Sequence, residues 1–220
     1  MAAALRTQLE ALAWTPLVLV PRPAPAGIPT AFPDLDAIPR GALTEICGPA
    51  SSGRTSVALR LMAEITSRDE VCALIDTCGA FDPATAAHAG VCLHRLLWVR
   101  CTGDAERALK AADLVIQAGG FGLVIFDLGD TPLRSARRIS LTSWFRLRRA
   151  VENTPTAIVV VAREPLAKTC ASLVLEMRRG TPAWSGHLCS GHLLRGMESR
   201  AARSKPLGEV RHVRLHSRLG

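Results

Sequence analysis

The 220-residue sequence contains no tyrosine, and its aromatic residues amount to only 4%. A surface that holds single-stranded nucleic acid by base stacking needs more aromatic material than that. Long hydrophobic runs are lacking too. The most apolar early stretch, Leu12 to Val20, is interrupted by Pro16 and falls well short of the ~20 apolar residues of a membrane span. It also makes a poor signal peptide, because Glu10 precedes it and Pro21-Arg22-Pro23 follows where small residues would mark cleavage. None of the seven cysteines (Cys47, Cys72, Cys78, Cys92, Cys101, Cys170, Cys189) forms a Cys-x-x-Cys pair. Their odd number and apolar surroundings predict reduced thiols of a cytoplasmic protein. His187, Cys189 and His192 cluster without a matching second pair, so no metal site is expected.

Acidic charge is in deficit: 27 Lys and Arg face 19 Asp and Glu, a formal net charge of +8. An acidic partner is therefore worth seeking. Hydrophobic residues make up 48% and charged residues 21%, which excludes a disordered chain and supplies one sizeable core.

Residues 4–13 place Leu5, Leu9 and Leu12 at helical spacing. Prolines at 16, 21, 23, 25, 29 and 33 then exclude a regular helix or central strand. The expected division is an N-terminal helix with a proline-rich linker over 1–33, and a core domain over 34–220. The linker could lay the helix on a neighbouring surface or pack back on its own domain. Beyond residue 41, apolar runs at 43–47, 71–76, 96–99, 123–127, 157–161 and 173–177 alternate with helical stretches at 55–66, 83–89, 104–118 and 134–152. That alternation predicts an α/β fold: a mainly parallel central sheet flanked by helices, with an edge strand near 210–215.

The sharpest motif is Gly48-Pro49-Ala50-Ser51-Ser52-Gly53-Arg54-Thr55-Ser56. It follows a predicted strand and opens a predicted helix, the setting of a phosphate-binding loop. Glycines such as Gly48 and Gly53 let backbone N–H groups converge on phosphate, and the helix N-terminus adds positive potential. Thr55 offers a hydroxyl for Mg²⁺. Asp127, ending the buried run Leu123-Val124-Ile125-Phe126, supplies the acid of such a site. ATP with Mg²⁺ is the corresponding candidate ligand. The usual lysine, however, is Arg54, a wider planar cation that is not equivalent in so tight a place.

The window Gly41 to Ser56, with its Glu-Ile-x-Gly-Pro-x-Ser-Ser-Gly core, resembles the phosphate loop of RecA-type recombinases. The stretches 72–83 and 166–179 resemble further RecA segments in the same order, so the resemblance runs from about 27 to 216 and implies a RecA-like phosphate-loop core. It also implies a disabled enzyme. Cys78 stands where the water-activating glutamate would be, and a thiol is a poor general base. Thr85 stands at the adenine-stacking tyrosine, and Arg163 near the γ-phosphate-sensing glutamine. Arg203 and Lys205 resemble a Lys-x-Lys element that reaches across a subunit interface. The second DNA loop is essentially missing, since Arg163 to Lys168 runs almost straight into the next strand. The first is replaced by an arginine-rich stretch in which Arg134, Arg137, Arg138, Arg146, Arg148 and Arg149 flank Trp144 and Phe145. These residues are candidates for nucleic-acid contact, by phosphate neutralisation and limited stacking. The alternative is a solvated basic helix whose Trp-Phe pair faces the core. The basic C-terminal residues, including Arg200, Arg211, Arg214 and Arg218, either contact nucleic acid or guard a sheet edge.

A short, degenerate RecA core with a proline-rich entry is similar to the ImuA-type mutasome proteins. That resemblance implies a non-catalytic or weakly catalytic role in the bacterial DNA-damage response and translesion mutagenesis. The implied partners are an ImuB-like Y-family polymerase homologue, RecA, an error-prone replicative-type DNA polymerase, and single- or double-stranded DNA. A DNA-dependent ATPase with a rearranged site and a SulA-like inhibitor of cell division are the alternatives.

Overall fold

The computed structural model describes residues 27–32, 35–185, 193–205 and 212–218. The helix and most of the proline-rich stretch expected before residue 27 lie outside the described residues, as do Arg211 and the His187, Cys189, His192 cluster.

Continuous apolar runs form strands buried on both faces. β3 (Leu43–Cys47), β4 (Cys72–Asp76), β6 (Leu123–Asp127) and β7 (Ala157–Ala162) make the parallel centre of the sheet, joined by β5 (Leu96–Arg100). β8 (Leu173–Ser185) pairs in parallel with β3, and β9 (Leu193–Lys205) and β10 (His212–Arg218) add antiparallel strands. The order across the eight-stranded sheet is β10-β9-β8-β3-β7-β6-β4-β5, a mixed α/β fold with a mostly parallel sheet.

Helices cover both faces. On one, α1 (Arg54–Ser67) packs Val57, Leu61, Met62 and Ile65 against Ile46, Ile125 and Val159. A short helix, α2 (Pro83–His88), is capped by Asp82, whose carboxylate accepts from the N–H groups of Ala84 and Thr85. On the other face, α3 (Ala105–Ala118) and α5 (Leu141–Val151) cover Val124, Phe126, Ile158 and Val160. Asp104 caps α3 and Ser140 caps α5 through side-chain oxygens. The helical stretch expected at 134–152 is two helices, α4 (Leu133–Ala136) and α5: the first ends at Arg137, and Ser140 caps the start of the second.

Three further departures concern the edges. Ile28–Phe32, on the linker side of the expected boundary at 33, forms β1 and pairs with β2 (Leu35–Ile38) as a two-stranded hairpin. Ile28 is fully buried in the α1-side core. β8 is much longer than the expected 173–177, since only Leu173–Glu176 pairs with β3 and the rest runs on against β9. β9 itself was not expected from the sequence. No helix among the described residues is long and apolar enough to cross a membrane.

Candidate functional site

Parallel pairing puts the carboxyl ends of β3, β4, β6 and β7 on one edge of the sheet. The loop 48–53, Asp76, Asp127 and Arg163 all meet there, so the sequence-derived site residues of these strands are brought together.

The loop is held by close approach. A Cβ on Gly48 would lie 2.3 Å from the Met177 carbonyl oxygen, so only glycine fits. Gly53, at φ +93°, is in the left-handed region that favours glycine, and Ser199 of β9 packs directly against it. Arg179 donates to the Ala50 carbonyl at 3.3 Å. The early part of β8 and β9 thus backs the loop. Ser52 is fully buried, and its hydroxyl finds no partner among the described residues. Thr55 and Ser56 are exposed in the first turn of α1.

Arg54 departs most from a phosphate-binding role. It is only 6% exposed, and both terminal nitrogens point to the Gly129 carbonyl at 3.4 Å. Arg163 donates to that same carbonyl at 3.2 Å, while the Gly129 N–H donates to Asp127 Oδ1 at 2.7 Å. One glycine therefore links both cations to the acid. Burial pulls the Arg54 guanidinium below its ordinary value, opposed by the charges of Asp127 and Asp130. Burial pushes the Asp127 carboxyl up to about 6, helped by Asp76 and Asp130 and opposed by the Gly129 N–H and Arg54.

That last shift has a defined sign. A carboxyl whose folded pKa lies above its unfolded 3.8 binds more protons when folded. Its stability contribution is full below about pH 4 and is lost as the pH rises through about 6, a change on the order of 2–3 kcal/mol. Asp127→Asn removes this component. Denaturation midpoints of the natural chain and the variant, compared at pH 4.5 and 7.5, should differ in pH dependence by that amount.

Asp76, the acid that ends β4, joins the site although its sequence marks it only as the end of a strand. Only 2% exposed, its carboxylate accepts from the N–H groups of Gly79, Ala80 and Phe81 and from the Trp98 indole, at 2.7–3.1 Å. It shapes the turn that carries Cys78. The exposed Cys78 thiol lies 3.6 Å from the Thr131 hydroxyl. Glu45 was also unassigned. Fully buried in β3, it accepts from the N–H groups of Leu166 and Ala167 at 2.7 and 2.8 Å. An acid inside an apolar strand was the signal for the one, and an acid at a strand end for the other.

A cavity of about 270 Å³ opens between Arg54, Phe81, Thr85, Asp127 and Asp130, below the ~300–1,000 Å³ usual for small-molecule sites. Thr85 offers no aromatic face, and its hydroxyl is committed to Asp82. Phe81 packs edge-on against Trp98 with centroids 5.2 Å apart, and Arg100 stacks on that same indole. These residues do not fit Mg²⁺–ATP. The cation that would meet phosphate is instead buried against the Gly129 carbonyl, and Asp127 Oδ1 already accepts the Gly129 N–H.

The arginine-rich stretch divides in two. Trp144 is 1% exposed and packs against Phe126 in the core, which corrects its candidacy for nucleic-acid stacking: helical spacing with Leu147 and Val151 turns it inward. Phe145 remains 41% exposed. Arg137 pairs with Glu164, Arg146 with Asp113 and Arg148 with Glu152. Arg134, Arg138 and Arg149 are exposed and make no ion pair among the described residues. Arg203 and Lys205 lie on β9, opposite Leu175 and Val174.

Residues 30–132 match the family model of the RecA N-terminal domain. RecA of Rickettsia massiliae (strain Mtu5) is 31% identical over 141 residues, covering 58% of this chain and 41% of the relative. RecA of Rickettsia prowazekii (strain Madrid E) is 30% identical over the same shares. RecA of Rhodospirillum rubrum is also 30% identical, with 38% of its own length covered. The chain spans about two fifths of the length of the curated relatives it matches. The family match holds the phosphate loop, Asp76 and Asp127, and ends before α5. On this match, and on a sheet whose strand ends gather those residues, the chain is a RecA-like protein.

Proposed function

We propose that the chain is a non-hydrolysing, or barely hydrolysing, RecA-like accessory protein of the ImuA type, serving the bacterial DNA-damage response and translesion mutagenesis in the cytoplasm. The observation that carries this reading is the direction of Arg54. Its guanidinium points to the protein's own Gly129 carbonyl, and Cys78 replaces the carboxylate expected to activate water. A RecA-shaped chain without that machinery acts through contacts instead. Its proposed partners are an ImuB-like Y-family polymerase homologue, RecA and an error-prone replicative-type polymerase, with Arg203 and Lys205 at a partner interface. DNA, single- or double-stranded, is proposed to meet the exposed arginines of α4 and α5.

The test is ATP hydrolysis by the full chain with single-stranded DNA present, beside an active recombinase at equal concentration. Turnover within tenfold of the recombinase overturns the reading. A rate at least a thousandfold lower supports it, because loss of a general base alone costs about 10²–10⁴ in rate.

A further inference from the structure

The phosphate-loop site brings three acids near one edge of the sheet: Asp76 and Asp127, which are paired in register, and Asp130. In a nucleotide-binding protein such a cluster is balanced by a metal that arrives with its ligand. Here the balance is internal. The Arg54 side chain leaves the mouth of the loop and is buried against the turn after β6. A Cβ on Gly129 would lie 3.0 Å from Asp127 Oδ1 and 3.6 Å from Arg54 Cζ, so the two charged groups flank one glycine, tight on the carboxylate side and in ordinary contact on the guanidinium side. The Gly129 peptide joins them, its N–H to the carboxylate and its C=O to the guanidinium. Arg163 reaches the same oxygen from β7's end.

We propose that Arg54 is the resident cation of this site: its guanidinium takes the charge-balancing place of a metal-bound nucleotide at Asp127, so the loop and the acidic strand ends are held together with no ligand. The inference rests on the non-hydrolysing reading but is separable from it. A chain could bind Mg²⁺–ATP and still fail to turn it over for want of a base at Cys78. The chemistry favours the exchange, because arginine stays charged when buried and its planar fork can address a backbone carbonyl from two nitrogens. Arg54 and Asp127 meet through Gly129 rather than in a direct ion pair, and losing one charge of a partly buried set leaves the other less compensated, so the proposal makes their effects on stability coupled.

The experiment is thermal unfolding of the full chain and of Arg54→Ala, Asp127→Asn and the double variant, each with and without millimolar Mg²⁺ and ATP. The natural chain is expected to shift by less than about 1 °C on adding Mg²⁺–ATP. Arg54→Ala is expected to lose about 5 °C or more, and the double variant to regain at least half of that loss. If Arg54→Ala does not fold, the double variant, which must fold under this proposal, carries the test. A rise of several degrees for the natural chain with Mg²⁺–ATP overturns the inference even when no ATP is hydrolysed. So do losses that simply add in the double variant, or a double variant that does not fold.

Discussion

Asp76→Ala is expected to destabilise the protein by about 3–5 kcal/mol. Four donors converge on this carboxylate: three successive turn N–H groups and the Trp98 indole. Each donor left unsatisfied in a buried site costs about 1–3 kcal/mol. Asp76→Asn should lie between the variant and the natural chain. Its remaining oxygen can serve Gly79 and Ala80, but its amide then faces the donors of Phe81 and Trp98. Chemical denaturation at neutral pH gives the ranking. Equal stability for Asp76→Ala and the natural chain would mean that the turn carrying Cys78 holds itself.

The second large effect separates packing from contact. Trp144→Ala should cost about 3–5 kcal/mol, the range for deleting a buried large aromatic side chain. Its indole is fully enclosed against Phe126 and the second core layer. The same variant should leave any DNA affinity and its salt dependence unchanged when measured below its melting temperature. Arg138→Ala with Arg149→Ala should do the reverse, preserving stability and flattening the log–log salt slope by about 0.7 per arginine on single strands. A loss of salt dependence in Trp144→Ala would return the indole to the contact surface.

The parallel centre was legible because strands buried on both faces read as unbroken apolar runs. Leu123–Asp127 and Ala157–Val161 carry that pattern without ambiguity. β9 was not legible, because Arg195, Gly196, Glu198, Ser199 and Arg200 give neither a run nor a clean alternation. Its place is set by what it backs, and Ser199 suits Gly53 by being small. β1 hid behind Pro29 and Pro33, since proline-rich sequence reads as linker until an antiparallel partner such as Leu35–Ile38 is seen. In the site, residue types were readable and directions were not. Arg54 could be recognised as a departure, yet only the turn at Gly129 shows where its charge goes. Trp144 carried its signal in the spacing to Leu147 and Val151, which the surrounding arginines obscured.

The length mismatch between β8 and β3 has a consequence for how the molecule opens. β8 spans 13 residues, but only Leu173–Glu176 is hydrogen-bonded to the parallel sheet. Among the described residues, the rest of β8, with β9 and β10, joins that sheet's ladder through those four positions. Cooperative units follow hydrogen-bonded ladders, so the antiparallel flap is expected to exchange its amide protons as one group, ahead of the β3-β7-β6-β4 centre. Because Met177 and Ser199 of that flap back Gly48 and Gly53, each such opening would uncover the loop from behind, and a partner that captured the open flap would reach a surface the closed molecule hides.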